Sequence, residues 1–278
     1  MRINAYAKIN LFLKVKGILE NGYHDLEMVN VPIDLFDSIH IQQSEHDELT
    51  CDKGYIPTDH RNTIWKVLEQ VRESNDLPNQ RIHLVKNIPS LAGLGGGSAD
   101  AATLINYFND YYGFDYTQQQ LIDLGLKVGA DVPFCLINQC AKVEGIGEKI
   151  TPINRKLDFN IFIMKPRFGI STKELFQESI QSTNTHSKVE YLIKALENDD
   201  YQLFLENMAN DLQEIAIKKH PKIKNMIDDL VKFGFDQAMM SGSGSVVYGV
   251  TQDDELADRA IRQFYKKVAF VKKSRILW

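Results

Sequence analysis

The stretch PSLAGLGGGSADAA, residues 89–102, decides the fold and the chemistry that we predict for this chain. Four glycines fall within positions 93–97, between a predicted strand at 81–85 and a predicted helix at 99–112. Glycine lets the backbone adopt positive φ and lets a ligand approach the main chain closely. The first turn of the following helix adds unpaired N–H groups and the positive end of the helix dipole. The stretch therefore predicts an anion site suited to phosphate oxygens.

This glycine-rich stretch matches neither of the two commonest nucleotide motifs. The Walker pattern needs Gly-Lys-Ser/Thr, and no lysine lies within residues 89–102. The dinucleotide fingerprint needs an acidic residue about twenty positions on, and Asp115 near that distance lies in a tyrosine-rich turn. A flexible linker or a plain helix cap is the alternative, but a linker would not join a buried strand to an alanine-rich helix. We therefore expect a phosphate site of another type.

Composition limits the classes of protein that remain. The 278 residues suit one large domain or two small ones, and 44% hydrophobic with 25% charged residues is typical of a packed soluble domain. A net charge of -5 gives no general support for binding to nucleic acid. Three irregularly spaced cysteines, no signal segment and no long apolar run predict a cytoplasmic protein without a membrane partner.

The hydrophobic pattern predicts mixed helices and strands with several antiparallel pairs, and hence an α+β fold. A junction at Lys156–Asp158 divides the chain into predicted domains 1–157 and 158–278. Five further expectations concern individual segments. They are separate strands at 26–33 and 38–42, a helix at 117–128 capped by Thr117 and Gln120, a short strand at 132–137, one helical stretch at 201–217, and a helix from Pro221 to Phe233.

Three motifs together resemble the GHMP kinases (galactokinase, homoserine kinase, mevalonate kinase and phosphomevalonate kinase). The first is AKINLFL at 7–13, the second is the glycine-rich stretch from Pro89, and the third is MSGSGS at 240–245. Their order and their spread over most of the chain make the resemblance far more specific than any one motif. It implies a two-domain fold, with an N-terminal ATP-binding domain like ribosomal protein S5 and a C-terminal ferredoxin-like domain.

Two more segments resemble one branch of that family. They are NGYH at 21–24 and GADVPF at 129–134. The branch phosphorylates the 2-hydroxyl of a cytidine-diphosphate-linked methylerythritol in the non-mevalonate route to isoprenoids. The resemblance thus implies an ATP-dependent kinase with a small-molecule substrate, with Mg²⁺ accompanying the ATP and no side chain indicated as its ligand. A monomer or a homodimer is expected.

The resemblance also implies two catalytic residues, Lys8 and Asp131. Taken alone, a lysine within an apolar strand is more often on a solvated face, and Asp131 in GADVPF could be a helix cap or a base. By resemblance, Asp131 takes the proton of the attacking hydroxyl. Lys8 orients Asp131 and stabilises charge on the transferred phosphoryl group.

The remaining predicted site residues fall into two groups by resemblance. The expected ATP-binding residues are Pro89, Ser90, Leu91, Ala92, Gly93, Leu94, Gly95, Gly96, Gly97, Ser98, Ala99, Ser241, Gly242, Ser243 and Gly244. The expected substrate-binding residues are Asn10, Tyr23, His24, Thr172 and Phe176. Tyr23 would stack on the cytosine and His24 would bond its edge, although packing is an equally good interpretation of a turn aromatic and of Phe176.

Two positions depart from the family pattern. Tyr6 stands where proline is usual, and Ser245-Val246 replaces the usual end of the third motif, while the lysine, the carboxylate and the glycines are retained. The absence of the sugar-specific N-terminal signature disfavours galactokinase. Two alternatives remain open, namely another small-molecule kinase of this family and a catalytically silent binding protein with the same fold.

Overall fold

The structure is a computed structural model, and it describes residues 1–179 and 188–277. Helices and mainly antiparallel strands are mixed along the chain, which confirms the predicted α+β class. The strands are β1 (Arg2–Ile18), β2 (His24–Gln43), β3 (Glu48–Cys51), β4 (Gln80–Val85), β5 (Ala141–Gly145), β6 (Lys149–Pro152), β7 (Asn160–Lys165), β8 (Ala209–Asn210), β9 (Gln237–Met240), β10 (Val247–Thr251) and β11 (Phe270–Arg275). The helices are α1 (Thr63–Arg72), α2 (Gly96–Tyr112), α3 (Gln118–Val128), α4 (Val132–Ile137), α5 (Thr172–Ser179), α6 (Val189–Asn198), α7 (Tyr201–Asn207), α8 (Asp211–Lys219), α9 (Lys222–Phe233) and α10 (Leu256–Phe264).

The chain forms two compact units whose segments interleave along the sequence. Unit 1 comprises Met1–Lys8, Leu35–Ile88 and Gly95–Asn138, and unit 2 comprises Ile9–Asp34, Pro89–Leu94 and Gln139–Trp278. The strands β1 and β2 contribute residues to both. The predicted domain boundary at 157/158 stays a prediction.

Unit 1 packs helices against a small sheet. Within it, β2 pairs antiparallel with β4 from Ser38 opposite Val85 onward, and β3 pairs parallel with β4. The helices α1, α3 and α4 pack against α2. The apolar face of α1 is formed by Ile64, Val67, Leu68 and Val71, which are buried at the helical spacing visible in the sequence.

Unit 2 contains a separate four-stranded antiparallel sheet in the order β11-β7-β10-β9, with β7 and β10 in the middle. The central strand β7, Asn160–Lys165, is buried at its first five residues, as expected for a strand covered on both faces. Elsewhere in this unit β2 pairs antiparallel with β5, and β1 pairs parallel with β8 at Phe12 and Leu13.

Several local predictions are confirmed. Thr117 and Gln120 form the capping box that begins α3, with both reciprocal hydrogen bonds present. Pro221 occupies the N-cap position of α9, which ends at Phe233 as predicted. The sequence QAMMSGSGSVVYGVT at 237–251 also predicts a strand, a glycine loop and a strand, and the structure has β9, the loop and β10 there.

Three local predictions are wrong. Residues 132–137 form the helix α4 rather than a strand, because a short apolar run fits either element, and Pro133 near the helix start and left-handed Asn138 at its end favour the helix. The strands predicted at 26–33 and 38–42 are one strand, β2, which runs without a break from His24 to Gln43. The stretch 201–217 is two helices, because β8 separates them and Asn210 caps the second by accepting from Leu212 N.

Candidate active site

Unit 1 brings together the two residues predicted to be catalytic. Lys8 lies on β1 with its side chain only 4% exposed, and its Nζ is 3.5 Å from Oδ1 of Asp131. A buried ammonium is costly unless a charge or hydrogen bonds compensate it, and the Asp131 carboxylate supplies that charge. The solvated-face interpretation of Lys8 is therefore wrong.

Asp131 stands at the N-cap position of α4, so the structure bears on whether it caps that helix. Its side chain makes no capping hydrogen bond. The carboxylate is 37% exposed and is held on one side by Lys8. This geometry leaves a carboxylate oxygen accessible to a hydroxyl proton, which supports the base over the cap.

The second half of the glycine-rich stretch begins α2 beside Lys8. Gly95, at φ 68°, occupies the N-cap position, and the Ala99 N–H donates to its carbonyl at 2.8 Å. A Cβ at Gly95 would lie 3.1 Å from Cγ of Lys8, so the bare backbone lets the lysine stem pass. No side chain caps this end of α2. Its first N–H groups and dipole therefore suit an anion close to the Lys8–Asp131 pair.

The first half of the stretch belongs to unit 2, where it packs on the third motif. Gly93 has φ +72°, and a Cβ there would lie 2.1 Å from the backbone oxygen of Ser241. The Ser241 hydroxyl donates to the Gly93 carbonyl at 2.9 Å, and Val246 N donates to the Ala92 carbonyl at 3.2 Å. The residues that flank this contact on the two loops are Pro89, Ser90, Leu91, Leu94, Gly242, Ser243 and Gly244.

Asn10 also contacts Ser241 within unit 2. Its backbone N–H donates to the Ser241 hydroxyl at 3.4 Å, and its side-chain Nδ2 donates to Asn30 Oδ1 at 2.6 Å. The Tyr248 hydroxyl donates to the Asn10 carbonyl at 2.8 Å. Burial raises the pKa of that hydroxyl well above its usual range, so it stays protonated as a donor. Asn10, Gly93 and Ser241 thus bring all three motifs together within one unit.

Asn30 and Tyr248 are site residues that sequence reasoning missed. Asn30 is fully buried within the apolar run MVNVPI, and that placement of a polar side chain was the available signal. Tyr248 is fully buried within VVYGV, and nothing in its local pattern separates it from a core aromatic.

The predicted substrate residues lie in unit 2 and are only partly in contact with one another. Tyr23 is 59% exposed at the turn between β1 and β2. The His24 ring lies 4.9 Å from that of Phe176 between centroids, and its buried Nε2 has no hydrogen-bond partner among the described residues. Thr172, at the start of α5, is 2.7 Å from the Ser243 hydroxyl. Phe176 therefore packs on the predicted base-recognition residue, and Thr172 reaches the third motif.

Within the described part of the chain, no three His, Cys, Asp or Glu side chains cluster so as to hold a metal ion by themselves. Mg²⁺ bound chiefly through phosphate oxygens and water needs only one or two carboxylates from the protein. The Asp131 carboxylate is an oxygen donor of that kind, so the donor set fits an ion that arrives with a nucleotide. Separately, none of the helices in residues 1–179 and 188–277 is long and apolar enough to cross a membrane.

Two family models match segments on either side of the middle of the chain. The GHMP kinases N terminal domain matches residues 62–139, and the GHMP kinases C terminal matches residues 192–269. With the α+β fold and the three motifs, these matches define the class of the protein as the GHMP kinases.

Similar proteins show which branch of the GHMP kinases this chain matches. A 4-diphosphocytidyl-2-C-methyl-D-erythritol kinase of Clostridium novyi (strain NT) is 39% identical over 270 residues, which cover 96% of each chain. One of Clostridium perfringens is 40% identical over 264 residues, covering 94% of this chain and 92% of the relative. A crystal structure of 4-(cytidine 5'-diphospho)-2C-methyl-D-erythritol kinase superposes with a TM-score of 0.83 at 26% identity, covering 99% of both chains. The chain therefore belongs to the 4-diphosphocytidyl-2-C-methyl-D-erythritol kinase family, which confirms the branch indicated by NGYH and GADVPF.

Proposed function

We propose that this protein transfers the γ-phosphoryl group of ATP to the 2-hydroxyl of 4-diphosphocytidyl-2-C-methyl-D-erythritol, a step of non-mevalonate isoprenoid precursor biosynthesis. The observation that carries the chemistry is the Lys8–Asp131 pair at 3.5 Å beside Gly95 at the start of α2. The acceptor comes from the relatives' names, at 39% identity over nearly the whole chain. A kinase of the GHMP family takes the transferred group from ATP.

Asp131 acts as the general base in this proposal. Its partly exposed carboxylate accepts the proton of the 2-hydroxyl as that oxygen attacks the γ-phosphorus. Lys8 holds the carboxylate in place, and its ammonium stabilises the negative charge that spreads over the transferred group. Because Lys8 is buried, its interactions gain strength from a local dielectric below that of water.

The phosphates are held mainly by backbone. The N–H groups from Gly95 to Ser98 and the dipole of α2 suit the triphosphate, and the Ser98 hydroxyl adds a donor. Within unit 2, the loops at 89–94 and 241–244 stay predicted ATP-binding segments, with positive φ at Gly93, Gly242 and Gly244. A Mg²⁺ ion that arrives with the nucleotide would supply positive charge beside the phosphates, and Asp131 is the carboxylate that would contribute an oxygen to it.

Tyr23 and His24 recognise the cytosine. The exposed ring of Tyr23 offers a face for stacking, and the unpaired Nε2 of His24 offers one hydrogen bond to the base edge. Phe176 packs on the His24 ring and keeps it in place. The roles of Asn10 and Thr172 as contacts of the acceptor rest on the resemblance alone. The cytoplasmic location and the monomer or homodimer remain predictions.

The product tests this proposal directly. The purified protein is incubated with ATP, Mg²⁺ and the cytidylated methylerythritol, and the product is examined by ³¹P NMR. The expected result is a new phosphomonoester signal without three-bond coupling to a proton, because C2 carries the methyl group and no hydrogen. A phosphate at another hydroxyl would overturn the assigned position, and no phosphorylation of this acceptor alongside turnover of homoserine or mevalonate would place the chain with another GHMP kinase.

A further inference from the structure

Three charged side chains that the proposed mechanism does not use lie buried together in unit 1. Lys86 follows β4, Asp37 lies on β2, and Asp100 lies in the second turn of α2. The Lys86 Nζ is 2.6 Å from Asp100 Oδ2 and also forms an ion pair with Asp37 Oδ2. All three side chains are at most 7% exposed. We call these three residues the buried triad.

The buried triad ties α2 to the strands beneath it. Asp37 Oδ1 accepts from the backbone N–H groups of Asn87 and Ile88 at 2.6 and 2.8 Å, which fixes the chain just after β4. Lys86 then reaches from that segment to Asp100 on α2. A Cβ at Gly96 would lie only 3.6 Å from the Lys86 Nζ, so the ammonium lies directly behind the first residue of the helix.

The charges of the buried triad do not balance. With both carboxylates ionised, one ammonium leaves a net charge of -1 in a site closed to water. Asp100 Oδ1 is buried and has no hydrogen-bond partner among the described residues. Burial raises the pKa of Asp100, Lys86 lowers it and Asp37 raises it again, and the result is well above the usual range of a carboxyl group. A proton on Asp100 makes the triad neutral.

The other groups around Asp100 do not supply the missing charge. Of the helices α1, α3 and α4 that pack against α2, α4 carries the Cys135 thiol, which interacts electrostatically with Asp100. Burial raises the pKa of that thiol, so it is uncharged at neutral pH. The thiol therefore adds no positive charge to the buried triad.

Resting on the proposed function, which places the nucleotide phosphates at that turn, we propose that Lys86, Asp37 and Asp100 are positioning residues for the first turn of α2. We propose further that nucleotide binding raises the fraction of buried triads that carry this proton, which is taken up from solvent. The anionic phosphates repel a triad of charge -1 and tolerate a neutral one. By reciprocity, the protonated triad binds nucleotide more tightly.

Calorimetry tests the proton uptake. Binding of the Mg²⁺ complex of a non-hydrolysable ATP analogue is titrated in buffers of different ionisation enthalpy between about pH 6 and 8.5. If nucleotide binding raises the pKa of Asp100 in the buried triad by about one unit, wild type takes up about half a proton more per nucleotide bound than Asp100→Asn does. This difference is expected near the midpoint of the titration. The matched control is Asp110→Asn, an exposed carboxylate on the same helix, which should equal wild type.

The pH dependence of the KM for ATP is a second measurement, and a purely structural role of the buried triad would not change it. In wild type the KM for ATP rises by up to about tenfold across this pH range as the triad loses its proton, while the KM for the acceptor stays flat. Asp100→Asn, with a permanently neutral carboxamide, binds ATP more tightly than wild type at the alkaline end. The wild-type profile keeps the test valid even where the variant does not fold.

The outcomes separate the two proposals. Equal proton numbers for wild type and Asp100→Asn, or a wild-type KM for ATP that is flat with pH, overturn the proton uptake and leave the proposed function intact. Absence of nucleotide binding by wild type at every pH overturns the proposed function, and this inference with it.

Discussion

Gly93→Ala tests the contact between the second and third motifs. In Gly93→Ala the new Cβ would lie 2.1 Å from the Ser241 backbone oxygen. Because that oxygen belongs to the main chain, no change of side-chain rotamer can relieve the overlap. The φ of +72° adds about 1–2 kcal/mol for an L-residue in the left-handed region. Relieving the overlap by backbone shifts costs about 1–3 kcal/mol more. We expect the free energy of unfolding to fall by about 2–5 kcal/mol.

The assay is urea denaturation of Gly93→Ala beside a matched variant, Gly17→Ala. Gly17 lies in β1, an added Cβ there meets nothing within 4 Å, and the substitution should be neutral or slightly stabilising. The surviving folded fraction of Gly93→Ala should also show a raised KM for ATP, because the displaced loop carries proposed phosphate donors. An unfolding free energy within about 0.5 kcal/mol of the Gly17→Ala value would refute this account of the loop.

Three further predictions concern the proposed roles. Asp131→Asn should lower kcat about 10²–10⁴-fold because the base is lost, and it should also lower the free energy of unfolding because the buried Lys8 ammonium loses its compensating carboxylate. Replacing Tyr23 and His24 by alanine should raise the KM for the acceptor about 5–150-fold, from about 1–3 kcal/mol of lost stacking, without changing the KM for ATP. Asp100, whose folded pKa of about 7 is raised chiefly by burial, contributes stability that is present below about pH 4 and lost as pH rises to about 7. Asp100→Asn should therefore remove a slope of at most about 1.4 kcal/mol per pH unit in that window, measured by denaturation at several pH values.

Each of these has its own check. Tyr55→Ala, which removes a tyrosine 70% exposed in unit 1, should leave the KM for the acceptor unchanged. An equal rise for Tyr55→Ala and for the Tyr23/His24 pair would contradict cytosine recognition. Full activity of Asp131→Asn would contradict the base, and an unchanged pH slope in Asp100→Asn would contradict the assignment of that slope.

The structure confirms the predictions that depend on a few neighbouring residues, such as those of helix starts and of glycine conformation. The capping box at Thr117 and Gln120 and the helix start at Pro221 depend on neighbouring residues alone, and the structure has both. The glycine-rich stretch likewise predicted positive φ, which Gly93 and Gly95 adopt. Residues 132–137 failed as a strand because six apolar residues carry no period that separates strand from helix.

Contacts between residues that are far apart in the sequence could not be predicted from the sequence alone. Lys8 is buried because of what covers β1, and its sequence neighbours alone favoured the solvated face. The buried triad joins positions 37, 86 and 100, whose separation along the chain hides their contact. Asn30 had a weak signal as a polar residue in an apolar run, but only the structure gives its partner, Asn10.

The most direct test of the central claim is the rate of ADP release from ATP with the cytidylated methylerythritol as acceptor, followed in a coupled assay for wild type and Asp131→Asn. Wild type should show acceptor-dependent turnover, and the rate should fall at least about a hundredfold in the variant. A wild-type rate no higher than that of Asp131→Asn would contradict the claim that this protein is the kinase.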